Sequence, residues 1–279
     1  MNQADTEILR FKIIVIQSLK TGDYKTGEHL YDDVIKWKEI IHNDVCTQFI
    51  SVVSKDEFIA CIIDIQTNLE DGDVLTLQLE THGCPDGISF ANDDIMHWDE
   101  FQDLMIGLNT QLGGLLVVCL AMCFGGATVS KLNLKARAPY RAIVVPFKEV
   151  PAGKVEDGFR EFYSEYKNLL DLPQAILKLQ EASKDENGQP YFYALTSEEI
   201  FDKTFDPDRD PDHFRKMVEY HCFRLTGGLA PENLKRIDTQ IRQMLLSAKS
   251  FRDHYLFRDM YNKEDSTDDN ESICTNASK

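Results

Sequence analysis

The sequence has no apolar stretch that approaches the ~20 residues a membrane-spanning helix requires. Its longest apolar run, Gly113 to Cys123, has the length of a strand. The N-terminus from Met1 to Glu7 is polar and acidic, unlike a secretory signal or a transit peptide. We therefore expect a cytoplasmic protein with no membrane partner.

Paired cysteine motifs are also missing. The seven cysteines form an odd set with no CxxC pair, so neither a disulfide framework nor a zinc site is indicated. Several of them lie inside apolar runs, where a reduced cysteine behaves as a small hydrophobic residue. This usage is typical of a reducing compartment, and we expect no bound metal and no cofactor.

Positive charge is scarce, because 30 Lys and Arg stand against 47 Asp and Glu, for a formal net charge of −17. Phosphate is repelled by such a surface, which argues against nucleic acid as the main partner. The same charge weakly favours basic partners or substrates. No GxGxxG or Walker pattern follows the first apolar run, so a doubly wound nucleotide-binding or receiver-type domain is disfavoured.

The first two-thirds of the chain alternates short apolar runs with amphipathic stretches, which is typical of a parallel α/β sheet flanked by helices. Residues 81–97 are predicted to form a loop, and Pro146 indicates an edge strand or a strand end. The predicted strands are Phe11–Leu19, Thr47–Val53, Val74–Glu80, Leu115–Met122 and Arg141–Phe147.

The remainder of the chain is predicted to be helical. The polar segment Ser183–Pro190 is the best linker, so we predict one domain over residues 1–186, a helical C-terminal extension over 187–262 and a disordered acidic tail over 263–279. Apolar residues from Leu234 to Tyr255 recur at gaps of three and four. This spacing favours a docked helix over a free coiled coil.

Two loops that follow predicted strands carry the residue types of a nucleophilic site. His82 and Gly83 follow one strand, and Cys123 ends another, before a Phe-Gly-Gly turn. Open α/β sheets build their sites at the carboxyl ends of strands, so neighbouring strands would place His82 beside Cys123. A thiol next to an imidazole forms a nucleophile with its acid–base partner. The N–H groups of Gly83 and Cys123 are candidate donors to an oxyanion.

The ordered set LQLETHG…DGI…WDEF…LLVVCLAMCFGG resembles the clan CD cysteine peptidases, which include caspases, metacaspases, legumain, separase and the bacterial CHAT-type proteases. The later segments RAPYRAIVVPFKEV and GFREFYSEYKNLL resemble bacterial caspase-like proteins, so the likeness spans roughly residues 11–182. It implies a caspase-hemoglobinase-like fold, with His82 as general acid/base, Cys123 as nucleophile and Gly83 as an oxyanion donor. That family does not depend on an Asp to orient the His. One departure is Met122, where caspases commonly have Ala, with Ala121 one place earlier.

We therefore expect a cysteine endopeptidase that cleaves protein or peptide substrates through an acyl-enzyme. The family context adds a regulated effector role in stress or phage-defence signalling, with a regulatory protein partner on the C-terminal extension. The alternative is a catalytically silent scaffold that keeps the fold and binds partners. The intact His82, Gly83 and Cys123 argue against that alternative.

Other residues near these loops have plainer interpretations. Cys119 lies in mid-strand and is interpreted as a core residue, and Cys84 as a bystander beside His82. The sequence does not locate the pocket that would bind the substrate side chain before the scissile bond. It also does not decide whether that pocket prefers an acidic or a basic side chain. Its candidate residues are Lys20, Asp23, Asp86, Arg137 and Arg141.

Overall fold

The computed structural model describes residues 9–205, 208 and 211–261. These residues divide into two compact units. The sheet unit comprises the described residues within Met1–Leu132 and Pro139–Thr196, and the helical unit those within Asn133–Ala138 and Ser197–Lys279. Among the described residues, every helix is too short or too polar to cross a bilayer.

The sheet unit contains a mixed sheet of eight strands. Six of them form its main path in the order β2-β1-β3-β6-β7-β8; the first five are mutually parallel and β8 runs antiparallel to β7. The short strands β4 and β5 form an antiparallel extension of the end of β3. The strands are β1 (Arg10–Ser18), β2 (Val45–Ser51), β3 (Asp73–Cys84), β4 (Gly87–Ser89), β5 (Ile95–His97), β6 (Val117–Ala121), β7 (Ala142–Pro146) and β8 (Phe192–Thr196).

Helices connect the parallel strands of the sheet unit and account for most of the helical unit. A π-helical turn at Tyr31–Ile35 joins the first two helices, and 3-10 turns occupy Gly125–Lys131 and Lys249–Phe251. The helices are α1 (Thr26–Leu30), α2 (Lys36–Ile41), α3 (Lys55–Thr67), α4 (Trp98–Gln111), α5 (Ala152–Glu165), α6 (Leu172–Ala182), α7 (Ser197–Phe205), α8 (Pro211–Thr226), α9 (Pro231–Ala248), α10 (Arg252–Tyr255) and α11 (Arg258–Tyr261).

Local sequence explains where these elements begin. The N-terminus of α3 is capped by the Ser54 hydroxyl, which accepts a hydrogen bond from the Glu57 N–H at 3.2 Å. The Glu57 carboxylate accepts the N–H of Val53, one residue before the cap, at 2.7 Å, so only the Ser54 half of the predicted capping box is formed. In β6 every residue is buried and apolar, as expected of a strand covered on both faces.

The main core of the sheet unit lies between the sheet and the helices α5 and α6. Aromatic side chains of α5 dominate it, with Phe159, Phe162 and Tyr163 fully buried against β1, β6 and β7. Each such ring contributes on the order of 2–3 kcal/mol when removed from water. The core therefore fixes α5 over the strands that carry the candidate site.

Pro146 is the last residue of β7, an interior strand, so the strand end predicted as one of its two positions is confirmed. The structure differs from the sequence prediction in two places. Residues 81–97 contain the end of β3 together with β4 and β5, because a tight turn after Cys84 lets the chain pair back on itself. Residues 192–196 form β8 of the sheet, so the sheet unit extends ten residues past the predicted boundary at 186, to Thr196.

The helical unit has two small apolar clusters of its own. Helices α8 and α9 pack through Phe214, Val218, Cys222 and Ile237. A second cluster joins Ala138, Phe201, Tyr255 and Phe257, and the neighbouring Arg137 forms an ion pair with Asp259. Apolar residues of α9 that recur at gaps of three and four therefore pack within the helical unit. The predicted acidic tail, 263–279, lies outside the described residues.

Candidate active site

The register of the sheet brings His82 and Cys123 to the same edge. Strands β3 and β6 are parallel neighbours, and their last paired residues are Glu80 and Ala121. Each chain continues two residues beyond that pair, to His82 in one and Cys123 in the other. The candidate pair therefore leaves the sheet at equivalent positions, at the carboxyl end where open α/β sheets place their sites.

Gly83 lies directly against the backbone of Cys123. A Cβ atom built on Gly83 would stand 2.1 Å from the Cys123 carbonyl oxygen and 3.2 Å from its carbon. Real side chains do not approach that closely, so only glycine allows the two loops to meet here. The backbone of Gly83 and that of Cys123 are thereby held side by side.

The chain turns sharply after Cys123. Phe124 has a left-handed backbone, with φ 57°, and its N–H donates to the Lys148 carbonyl at 3.3 Å. A Cβ on Gly126 would lie 2.4 Å from the Phe147 ring, so the turn packs closely on the segment after β7. This bend leaves the Cys123 side chain half-buried at the rim, where its sulfur accepts the Val150 N–H at 3.4 Å.

His82 has a carboxylate partner that the sequence did not reveal. Its Nε2 lies 2.8 Å from Oδ2 of Asp23, in the loop between β1 and α1. The same oxygen accepts the Lys20 N–H at 2.8 Å, which fixes the carboxylate. The hydrogen bond to His82 lowers the pKa of Asp23. The sequence contained no signal for this contact, because it did not show that β1 and β3 are neighbours.

A cavity of about 270 Å³ opens beside the pair. The loop after β1, the ends of β3 and β6, and the start of α5 all contribute to its walls. Its lining residues are Leu19, Asp23, Tyr24, Thr26, Thr81, His82, Ala121, Met122, Cys123, Val150, Ala152 and Val155. The sequence-predicted His82 and Cys123 thus share one pocket, which is large enough for a substrate side chain.

A row of polar side chains lies beneath this pocket on the α5 face of β3. Thr76 contacts the Tyr166 hydroxyl at 2.7 Å, and the Tyr163 hydroxyl donates to Gln78 at 3.0 Å. Gln78 donates to Glu80 at 2.7 Å, and the Thr26 hydroxyl donates to Glu80 at 2.6 Å. Burial raises the pKa of Glu80 to about 7. His82 is the next residue on this face of the strand.

Only one of the five residues considered for the substrate side-chain pocket lines it, namely Asp23. Lys20 forms an ion pair with Asp93, and Asp86 lies in the turn between β3 and β4. Arg137 belongs to the helical unit. Arg141 precedes β7, at the amino end of the strands and therefore away from the site.

The remaining cysteines near the site have other environments. Cys119 is fully buried in β6, and burial raises the pKa of its thiol. Cys84 ends β3 opposite Gly87 and does not line the cavity. Within residues 9–205, 208 and 211–261, His, Cys, Asp and Glu side chains form no group of three or more that could hold a metal ion.

Comparison with known proteins gives a fold and no sequence relative. No family model and no curated protein matches the sequence. A secreted C11 cysteine protease from Bacteroides thetaiotaomicron, solved in complex with an irreversible peptide inhibitor, matches with a TM-score of 0.50 and 10% identity, over 88% of this chain and 83% of that chain. The Drosophila initiator caspase Dronc matches with a TM-score of 0.49 and 11% identity, over 68% and 81%.

The fold of this chain is therefore caspase-like, with a mostly parallel sheet flanked by helices and further helices at the C-terminus. The fold class predicted from the sequence is confirmed. At 10% identity the likeness concerns the fold alone, so the chemistry has to be argued from the site.

Proposed function

We propose that this chain is a cysteine endopeptidase, with Cys123 as nucleophile and His82 as general acid/base. The observation that carries the proposal is that both residues line one cavity at the carboxyl edge of the parallel sheet. A thiol and an imidazole that share a pocket are the parts that acyl transfer needs. The caspase-like fold is a second support.

The contact with Asp23 assigns the two nitrogens of His82. A carboxylate at 2.8 Å from Nε2 accepts a hydrogen bond from the N–H at that nitrogen, which leaves Nδ1 of the neutral ring as the proton acceptor. Nδ1 is then the nitrogen that takes the proton of the Cys123 thiol. Asp23 stabilises the imidazolium that results, because opposite charges attract at this distance.

The reaction then proceeds in two stages. Cys123 sulfur attacks the carbonyl carbon of the peptide bond, and the N–H groups of Gly83 and Cys123 hold the oxyanion. The C–N bond breaks as His82 gives its proton to the leaving amine, and an acyl-enzyme thioester remains. Water, deprotonated by His82, attacks the thioester and releases the new carboxyl group and the thiol. The Val150 N–H stabilises negative charge on the sulfur before the attack and again when the thiolate leaves the thioester.

The biological setting is part of the same proposal. We propose that the peptidase acts on protein substrates in the cytoplasm, as a regulated effector in stress or phage-defence signalling, and that its helical unit binds a regulatory partner. The support is the resemblance to bacterial caspase-like proteins. The predicted division at residue 186 between peptidase domain and extension stays a proposal, with Thr196 the end of the sheet unit.

The test is hydrolysis of fluorogenic peptide pools that carry Asp, Asn, Arg, Lys or Leu before the scissile bond. Wild-type protein is compared with Cys123→Ala, His82→Ala and, as a matched thiol control, Cys46→Ala, since Cys46 is exposed on β2 away from the cavity. We expect turnover by wild type and Cys46→Ala and a loss of about 10³-fold or more in the other two. Equal turnover in all four proteins would exclude the proposed pair.

A silent scaffold predicts a different result. It would give no turnover with any pool and a Cys123 thiol no more reactive toward iodoacetamide than Cys119. Selective alkylation of Cys123 without turnover would instead indicate a latent enzyme that awaits an activator.

A further inference from the structure

The charges that line the cavity are unbalanced. The lining residues include one carboxylate, Asp23, and one imidazole, His82. None of the lining residues is a lysine or an arginine. Tyr24, another lining residue, contacts Glu156 on α5 through its hydroxyl. An acidic substrate side chain would therefore enter a pocket without a cation to receive it, which costs several kcal/mol of desolvation.

Glu80 lies immediately behind the wall of this cavity. Its neighbour in the sheet, Ala121, and its hydrogen-bond donor, Thr26, both line the cavity. Gly27 leaves room for the Glu80 side chain, since a Cβ there would stand 2.6 Å from the Glu80 Cγ. Thr26 and Ala121 are thus the lining residues next to a fully buried carboxylate.

The groups around Glu80 include no cation. Gln17 from β1, Thr26 from α1 and Gln78 from β3 are neutral, and Cys119 from β6 is a buried thiol. The helix α5 contributes the acid Glu156 and the phenol Tyr163. Two cations of the neighbouring segments are engaged elsewhere. Lys25 donates to the Leu19 carbonyl at 2.8 Å, and Arg160 pairs with Asp33 and Glu156.

A buried carboxylate without a countercharge is expensive in a folded protein. A cation that enters the pocket would offset that cost, whereas a neutral or acidic group would not. We infer that the cavity selects a lysine or arginine side chain on the N-terminal side of the scissile bond, with Glu80 as the specificity-determining residue. This inference rests on the proposed peptidase function.

A purely structural role for Glu80 makes a different prediction. The Glu80–Thr26 hydrogen bond also anchors the start of α1, and hence the loop that presents Asp23. If anchoring were the whole role, Glu80→Gln would impair all substrates alike. A specificity role changes the ratio between charged and neutral substrates of equal size.

The experiment compares kcat/KM for peptides that differ only in that side chain: lysine against norleucine, and arginine against citrulline. The proteins are full-length wild type, Glu80→Gln, and Asp86→Asn as a control that removes an exposed carboxylate from the neighbouring turn. We expect wild type and Asp86→Asn to prefer lysine and arginine by about 10- to 100-fold. In Glu80→Gln the two ratios should fall to near one.

Each other outcome is informative. Turnover that depends on Cys123 but favours Asp, Asn or Leu would overturn this inference and leave the peptidase function intact. A basic preference that persists in Glu80→Gln would remove Glu80 from the assignment. If Glu80→Gln does not fold, the wild-type ratios alone decide the preference. If no peptide is cleaved and Cys123 is not alkylated selectively, the proposed function fails and the inference fails with it.

The pH dependence of the ratio adds a second readout. Because the pKa of Glu80 is raised to about 7 by burial, its carboxylate gains charge as the pH rises through that value. The lysine-to-norleucine ratio of wild type should therefore rise between about pH 6 and pH 8. A flat ratio in wild type would contradict a charge-based role for Glu80.

Discussion

The two strands that carry the candidate pair bury different chemistry. The strand β6 (Val117–Ala121) is apolar on both faces, and Cys123 lies two residues after it. In β3, one face carries the buried Leu75, Leu77 and Leu79, and the other carries the buried row Thr76, Gln78 and Glu80 before His82. The same sheet therefore presents the proposed nucleophile from a strand that is apolar on both faces and the proposed acid–base residue from a strand with one polar face.

The difference shows that hydrogen bonding, in addition to apolar packing, determines the buried residues of β3. A buried polar group costs free energy unless it is hydrogen-bonded, and each residue of this row has a partner on α1, on α5 or its C-terminal cap, or within the row. Apolar residues would fill these positions without that requirement. The polar face of β3 thus ties the helices that wall the pocket to the strand that presents His82.

After the loss of His82 or Cys123, the largest loss of activity is expected from a change at the contact between Gly83 and the Cys123 backbone. In Gly83→Ala the new methyl group would meet the Cys123 carbonyl oxygen at 2.1 Å, so the loops must separate. We expect kcat/KM to fall about 10³-fold and the free energy of unfolding to fall by about 1–3 kcal/mol. Gly22→Ala is the control, because nothing lies within 4 Å of its Cβ position. Equal activity in the two variants would contradict the close contact.

A smaller effect is expected at the residue that orients His82. Asp23→Asn keeps the shape of the side chain but removes the charge that stabilises the imidazolium, and we expect kcat to fall about 10- to 100-fold with little change in KM. Asp93→Asn is the matched control, since Asp93 contacts only the Lys20 side chain and asparagine tolerates its φ of 72°. A larger change in KM than in kcat would make Asp23 a binding residue instead.

The smallest effect concerns stability alone. Because the pKa of Glu80 is raised from 4.5 to about 7, the folded protein holds this proton more tightly than the unfolded chain. Stability due to this group is therefore present below about pH 4.5 and is lost as the pH rises toward 7, by roughly 3 kcal/mol at most. Urea unfolding at about pH 5 and pH 8 should show a smaller loss in Glu80→Gln than in wild type. Identical losses would mean that Glu80 does not titrate in this window.

Much of the fold was predictable because its signals are local. Apolar runs identified five of the strands of the main path, and capping residues such as Ser54 marked helix starts. The strand β8 was missed because it is short and half-exposed, and its polar flanks are typical of a linker. The hairpin of β4 and β5 was missed because three-residue strands have too little pattern to distinguish them from a loop.

The candidate site was predictable only in part. His82, Gly83 and Cys123 stand at strand ends, which the sequence showed, and the structure brings them together. Asp23 was considered only for the substrate side-chain pocket and not as the partner of His82, and Glu80 was not recognised at all, because their relation to the site depends on β1, β3 and β6 being neighbours. Sheet order is a long-range property that local patterns do not contain.

The central claim is that the Cys123 thiol is an activated nucleophile with His82 as its partner. The most direct test is the mass of covalent adducts formed when a chloromethyl ketone peptide is added to wild type, His82→Ala and Cys123→Ala. We expect one adduct per chain in wild type, located on Cys123. Labelling should be at least 100-fold slower in His82→Ala and absent in Cys123→Ala. Labelling spread over Cys46, Cys84 and Cys123 at similar rates, unchanged in His82→Ala, would contradict it.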